Sequence, residues 1–153
     1  QGAGALWFFQ SERGEPSYAA SSLWTGGEWH RQLIRGAEQA FACALPEVRH
    51  FDGLEAALRA CAEGGAAEGR RLALDVYEAV ARLSACLEGG ASGQAGGAGL
   101  WLAFGPERGW SVPERTLLRA EGWQLAGLGE RVLRTETAVT CALTLARAAY
   151  GQV

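Results

Sequence analysis

Two segments of this chain combine glycine, arginine and carboxylate more densely than ordinary connections require. The first, Gly105-Pro106-Glu107-Arg108-Gly109-Trp110, follows an apolar run and leads straight into Ser111-Val112-Pro113-Glu114, which has capping-box spacing. Unpaired amides at a helix start, with the close backbone approach that glycine permits, can hold a polar ligand. Glycine after a strand is also a common turn residue, so this segment alone is a weak sign. The second runs from Leu128 and Gly129 through Glu130, Arg131, Val132, Leu133, Arg134, Thr135 and Glu136 to Thr137 and Ala138. It mixes apolar residues, two arginines and two carboxylates where a plain connection would take about four or five residues. A long, specific loop is more often functional than idle. The other acid–base candidates are His30, expected on an exposed helix face, and His50, expected in a loop. Neither joins a Cys, Asp or Glu at metal-ligand spacing, so no metal is expected.

The pattern around these segments predicts what holds them. Ala5 to Phe9 is an apolar run of strand length, and a loop with Pro16 follows. Thr25-Gly26-Gly27-Glu28 has capping-box spacing, and Trp29, Leu33, Ala37 and Ala40 recur at helical spacing to about Cys43. Pro46 stops that helix, and Asp52 to Glu55 repeats the cap before a short helix through Leu54, Leu58 and Cys61. Gly64 to Ala67 reads as a turn. Arg71 to Asp75 reads as a buried strand, with Val76, Val80, Leu83 and Leu87 marking a following helix. Gly89 to Gly99, rich in Gly, Ala, Ser and Gln, reads as a mobile surface loop. Leu100 to Phe104 is another strand, and a helix from Ser111 ends at Gly122. Trp123 to Leu128 is the fourth strand, and Ala138, Cys141, Leu145 and Ala149 stripe a terminal helix. Strands alternating with helices predict an α/β fold, a parallel sheet with flanking helices. In such sheets ligands sit at the carboxyl ends of strands, which are the positions of the two unusual loops.

Composition narrows the function classes. The 153 residues, 48% hydrophobic, allow one domain with a real core. A net charge of −3 argues against this surface alone gripping a polyanion, so any nucleic-acid grip is local or supplied elsewhere. All basic charge is arginine, Asn is absent and Ile occurs once, a bias that points to a GC-rich coding sequence. The absence of Met suggests a trimmed or excised piece, with an upstream region expected. Cys43, Cys61, Cys86 and Cys141 lie far apart without a C-x-x-C pair and are expected to be reduced, buried and structural. No window approaches the apolar length of a membrane span, so a cytoplasmic protein is expected.

Together the two loops resemble the SPOUT superfamily, and within it the methyltransferases that place a methyl on uridine N3 of small-subunit (16S) ribosomal RNA. Gly105, Pro106, Glu107 and Gly109 match that family's G-P-E-G-G loop. Leu128, Gly129, Arg131, Leu133, Arg134, Glu136, Thr137 and Ala138 match its L-G-x-R-I-L-R-x-E-T-A segment. Ser11-Glu12-Arg13 and Glu38-Gln39 followed by Pro46-Glu47-Val48 resemble two further family elements. The similarity spans nearly the whole chain, with two departures: Arg108 stands for the second glycine of the first loop, and Phe41-Ala42 for a Gly-Arg pair.

The resemblance implies a C-terminal deep trefoil knot, an exception to the near absence of knots in proteins. It implies S-adenosyl-L-methionine lying bent in that knot. The cofactor would be held by Leu74 and Asp75, by Phe104, Gly105, Pro106, Glu107 and Gly109, and by Leu128, Gly129, Val132, Leu133, Thr137 and Ala138. It implies a homodimer, and it places an RNA-binding barrel and the domain's first strand and helix ahead of residue 1. Methyl transfer needs in-line approach, and uridine N3 must lose its proton near the transition state. Arg134 or Arg131 is expected to steady the uracil oxygens or a phosphate, and Glu136 or Glu107 to assist proton removal. A structural ion pair or cap is the competing role for Glu136. Arg13, Arg31, Arg35 and Arg108 are candidate RNA contacts, against the plainer reading of solvated surface charge. Most of the six tryptophans are expected in the core, with Trp110, at a loop end, the candidate stacking platform. Two other readings stay open. One is a SPOUT ribose 2'-O-methyltransferase, whose motifs rely on asparagines this chain lacks. The other is a module that binds cofactor or RNA without catalysis.

Overall fold

The computed structural model describes residues 2–64, 69–88 and 99–151. Its first unit is a parallel pair, β1 (Ala5–Phe9) and β2 (Glu47–Phe51), joined through three helices, α1 (Pro16–Ala19), α2 (Ser22–Thr25) and α3 (Glu28–Gln39). α4 (Leu54–Glu63) then leads toward a four-stranded sheet. That sheet contains β3 (Arg70–Leu74), β4 (Ala81–Arg82), β5 (Leu100–Phe104) and β6 (Gln124–Gly127) in the order β4-β6-β3-β5, with every pairing parallel. α5 (Leu83–Leu87), α6 (Val112–Ala120) and α7 (Thr135–Ala149) complete the chain.

Alternation along the strands divides the core into two layers. Ala73, Ala103 and Leu125 face one side, where they pack with Leu54 and Leu58 of α4, Leu118 of α6, Trp110 and Trp123. Their neighbours Leu72 and Ala126 face the other, against Leu83 and Leu87 of α5 and Ala142 and Ala146 of α7. Successive side chains of a strand point to opposite faces, so a sheet covered on both sides needs short, continuously apolar strands. The expected parallel-sheet α/β class with flanking helices is the fold found.

Several local expectations are corrected. The Thr25–Glu28 capping box does not form: Thr25 ends α2, and α3 starts from Gly27, which takes the left-handed conformation at φ 67 without a side-chain cap. α3 ends at Gln39, short of Cys43, in a closed turn. The Ala42 amide donates to the Ala37 carbonyl and the Phe41 amide to that of Glu38. That pattern puts Phe41 at φ 52, a position that favours glycine, and the ring is 95% exposed. Phe41 thus stands at a helix stop, in a conformation a glycine would adopt without strain. α4 likewise starts at Gly53 without a side-chain cap, so Asp52 does not play the expected capping role.

β2 was not anticipated as a strand, and it carries His50, which is therefore not in a loop. Its ring stacks on Phe8 at 5.6 Å and meets Trp24 edge-on at 4.4 Å. The helix expected from Val76 begins only at Leu83. Residues 75–80 cross to β4, because the Val80 amide bonds the Leu125 carbonyl and Ala81 pairs with Ala126. The buried side of α7 is Ala142 and Ala146, whereas Cys141 and Leu145 of the expected stripe are exposed. Among the cysteines only Cys61 is buried: Cys86 is intermediate, and Cys43 and Cys141 are exposed. Burial pushes the Cys61 thiol up to about 11, with the Arg71 charge pulling partly back. Most of the expected turn at Gly64 to Ala67, and the loop from Gly89 to Gly99 apart from its last residue, lie outside the described residues. No helix among the described residues is long and apolar enough to cross a membrane.

Candidate active site

Three neighbouring strands, β6, β3 and β5, end side by side, and the chain leaving each one borders a single cleft. From β3 come Leu74, Asp75, Val76 and Tyr77, and from β5 Phe104, Gly105, Pro106, Glu107, Gly109 and Trp110. Leu128, Gly129, Arg131, Val132 and Leu133 follow β6, and Thr135 and Ala138 enter from the first turns of α7. A concave, largely apolar cleft at strand carboxyl ends is where an open parallel sheet binds small ligands.

The loop after β5 is held from below. Ser111 and Glu114 form the full capping box of α6. Glu114 Oε1 also accepts from the Ser11 hydroxyl at 2.7 Å and from the Glu12 amide at 3.0 Å. The Ser11-Glu12-Arg13 element is therefore an anchor that joins the end of β1 to the start of α6. The Gly109 amide closes a turn on the Pro106 carbonyl at 2.8 Å, and Gly109 takes φ 69. Arg108 has no left-handed strain, so its replacement of a glycine leaves this backbone undisturbed. Gly105 lies so close to the Trp110 indole that a Cβ there would come within 3.1 Å of the ring. Trp110 is fully buried and its Nε1 donates to the Leu74 carbonyl at 2.9 Å. It braces β3 against the loop, so its ring is no platform for a base, which corrects the expectation.

The other floor of the cleft is electrostatic. The Asp75 carboxylate accepts from the Tyr77 amide at 2.6 Å and the Glu78 amide at 3.0 Å, and it pairs with Arg115 of α6. Both side chains of the pair are nearly inaccessible. Burial raises the Asp75 carboxyl, but the Arg115 hydrogen bond, the two amides and the Arg115 charge outweigh it and hold the group below its ordinary value. Arg115 is raised, first by its bond to Asp75. Asp75 thus borders the cleft with its carboxylate already committed to structure. Glu78 extends the network to Arg115 at 3.6 Å and to Arg119.

Every residue expected at the cofactor lines the cleft except Thr137. Of the expected catalytic residues, Arg131 and Glu107 line it, while Arg134 and Glu136 do not. Helical geometry explains the division, since Thr135 and Ala138 share the inward face of α7 and positions 136 and 137 turn away. Arg134 is the N-cap residue of α7, and its Nη1 is 3.9 Å from Glu136 Oε1, with both side chains largely exposed. Arg13 donates to the Arg108 carbonyl at 3.4 Å, which brings two candidate RNA contacts together beside the first loop. Arg31 and Arg35 stand one turn apart on exposed α3 positions. Val76, Tyr77 and Thr135 border the cleft without having been singled out for it. Among the described residues no cluster of His, Cys, Asp and Glu forms a metal ligand set.

The chain is 35% identical over 154 residues to the Ribosomal RNA small subunit methyltransferase E of Treponema pallidum, covering 96% of this chain and 54% of that protein. A Ribosomal RNA small subunit methyltransferase E from Neisseria gonorrhoeae, solved bound to S-adenosyl methionine, superimposes with a TM-score of 0.71 at 25% identity. That match covers 96% of this chain and 55% of the other. A Legionella pneumophila protein solved with the bound cofactor SAM gives a TM-score of 0.69 at 27% identity, over 92% of this chain and 53% of its own. The chain spans about half the length of the relatives it matches. The model of the RNA methyltransferase domain family matches residues 1–147, from ahead of β1 to the last turn of α7. The resemblance carried by the two loops is thus borne out, and the chain belongs to the RNA methyltransferase domain family.

Proposed function

We propose that this chain is the cofactor-binding and catalytic domain of an S-adenosylmethionine-dependent methyltransferase acting on N3 of a uridine in small-subunit ribosomal RNA, in the cytoplasm. The observation that carries the reading is the single cleft on which the loops after β3, β5 and β6 converge. Its residues fit such a ligand. Leu128, Val132 and Leu133 offer an apolar wall, and the turn closed at Gly109 lets main chain approach the ligand closely. When bound, the cofactor supplies an electrophilic methyl group on a sulfonium.

The chain's own part is to orient the uracil and take its proton. Glu107, on the cleft wall, is our candidate acceptor for the N3 proton, with Glu136, outside the cleft lining, as the alternative. Arg131 inside the cleft and Arg134 at its edge supply positive charge to the uracil oxygens or the adjoining phosphate. Arg13 and Arg108 extend the basic edge beside the first loop.

The same reading includes a trefoil knot. β6 lies between β3 and β4, yet residues 75–80 join β3 to β4 across its carboxyl end, against Gly127. A Cβ at Gly127 would come within 3.1 Å of the Ala79 Cβ. The chain leaving β6 for α7 must pass that crossing segment, as a threaded helix requires. The reading also includes a homodimer, supported by Leu133 and Leu145, which stay exposed beside and along α7. Light scattering of the intact protein at micromolar concentration should return the mass of a dimer, and a stable monomer would refute that part.

Calorimetry with S-adenosylhomocysteine tests the cleft assignment. The intact protein should bind it, and Gly109→Val should weaken binding on the order of tenfold or more. A β-branched residue at φ 69 is strained and its Cβ meets the Tyr77 ring at 3.2 Å. Equal affinity of variant and wild type would remove the first loop from the site.

A further inference from the structure

Tyr77 is 66% exposed, yet its backbone is tied down and its ring has two close neighbours. Its amide donates to Asp75 Oδ1 at 2.6 Å. The Arg115 guanidinium carbon lies 5.6 Å from its ring centroid. The edge of the ring abuts Gly109, so closely that a Cβ there would stand 3.2 Å from Cε2. An exposed aromatic ring ordinarily moves among rotamers, and binding must then overcome the entropy of fixing it. Here Arg115 and the main chain of Gly109 flank the ring at the border of the cleft, which limits the rotamers open to it.

The geometry points to Tyr77 as the residue that positions the cofactor's adenine, by stacking on it from the cleft wall. This rests on the methyltransferase reading above and adds a residue to it. The charge behind the ring selects among the groups that a cofactor of this class offers. Arg115 already places a full positive charge against the ring, so a second cation, the sulfonium, is disfavoured there. A neutral, flat heteroaromatic is favoured, because it gains dispersion and apolar burial without meeting that charge at full strength. The Tyr77 hydroxyl has no part in the stacking, so the ring alone should suffice.

Titration calorimetry of the intact protein with S-adenosylhomocysteine, and displacement of that ligand by adenosine, tests the assignment. Tyr77→Ala should weaken both ligands by the same factor, on the order of tenfold or more, as loss of a base–aromatic stack does. Tyr77→Phe should stay within about twofold of wild type for both, since the stacking face is retained. Melting temperatures of both variants should stay close to wild type, because the exposed ring contributes little to the core. Wild-type binding left unmoved by Tyr77→Ala would overturn the inference and leave the methyltransferase reading standing. So would a loss confined to S-adenosylhomocysteine with adenosine untouched, or Tyr77→Phe as weak as Tyr77→Ala. A wild-type protein that binds neither ligand would overturn the methyltransferase reading, and this inference with it.

Discussion

Asp75→Ala is expected to cost about 3–5 kcal/mol of folding stability at neutral pH, the cost of leaving one partner of a buried ion pair behind. Asp75 and Arg115 side chains are 1% and 6% accessible, so water cannot replace the lost partner. The variant also frees the amides of Tyr77 and Glu78, which the carboxylate accepts from. Domains of this size are stable by only about 5–15 kcal/mol, so this single change should be plain in a urea titration followed by circular dichroism. The effect carries a pH signature. The folded-state value of Asp75 lies below its ordinary 3.8, so its contribution is fully present above that value and is lost as pH falls through the folded one. The gap between wild type and Asp75→Ala should therefore hold from pH 7 to about 5 and narrow progressively in acid. Replacing both partners with apolar residues, Asp75→Leu with Arg115→Leu, should cost less than the two single changes added together. A single-variant loss under about 1 kcal/mol would show that the pair is not sealed from water.

What the sequence disclosed, and what it hid, follows from the range of the interactions involved. α6 was legible because its cap is local: Ser111 and Glu114 sit three residues apart and satisfy each other's end of the helix. β3, β5 and β6 were legible as short apolar runs, since strands covered on both faces have no polar side to confuse the pattern. β2 was hidden because Glu47, Arg49 and His50 intrude on Val48 and Phe51, and its pairing partner lies far back in β1. Residues 76–82 followed a helical spacing by accident, and long-range bonds to β6 decided their path. The two loops stood out by composition, and twelve of thirteen expected cofactor positions border one cleft. The brace beneath that cleft did not stand out, because Asp75 and Arg115 are 40 residues apart. Trp110 looked like a surface platform from its place at a loop end, and only the packing shows why Gly105 must lack a side chain.

Arg134→Ala is expected to leave folding and cofactor affinity almost untouched while cutting methyl transfer to small-subunit ribosomal RNA by a factor on the order of 100 or more. Two roles are conceivable for this arginine, a structural contact or a substrate contact, and its surroundings favour the second. Its side chain is 87% exposed, and its ion-pair partner Glu136 is 3.9 Å away and 73% exposed. Surface pairs of that kind contribute about 0–1 kcal/mol. Arg134 does cap α7, but through its backbone: the carbonyl accepts from the Ala138 amide at 2.9 Å and the side chain makes no cap bond. Alanine keeps that carbonyl, so the helix start survives. A charge held in the open at the cleft edge, beside the α7 residues that line it, is placed to meet a ligand that arrives from solution. A charge-assisted contact made mainly in the transition state is worth about 3 kcal/mol, which sets the expected factor. The assay uses the intact protein, unmodified small ribosomal subunits and saturating cofactor, with calorimetry and thermal melts on the same preparations. If melting temperature and cofactor affinity fall together, with activity following only the fraction folded and loaded, the arginine is structural. If turnover stays within a few-fold of wild type, Arg131 on the cleft wall becomes the cation that steadies the uracil, and Arg131→Ala should then show the loss.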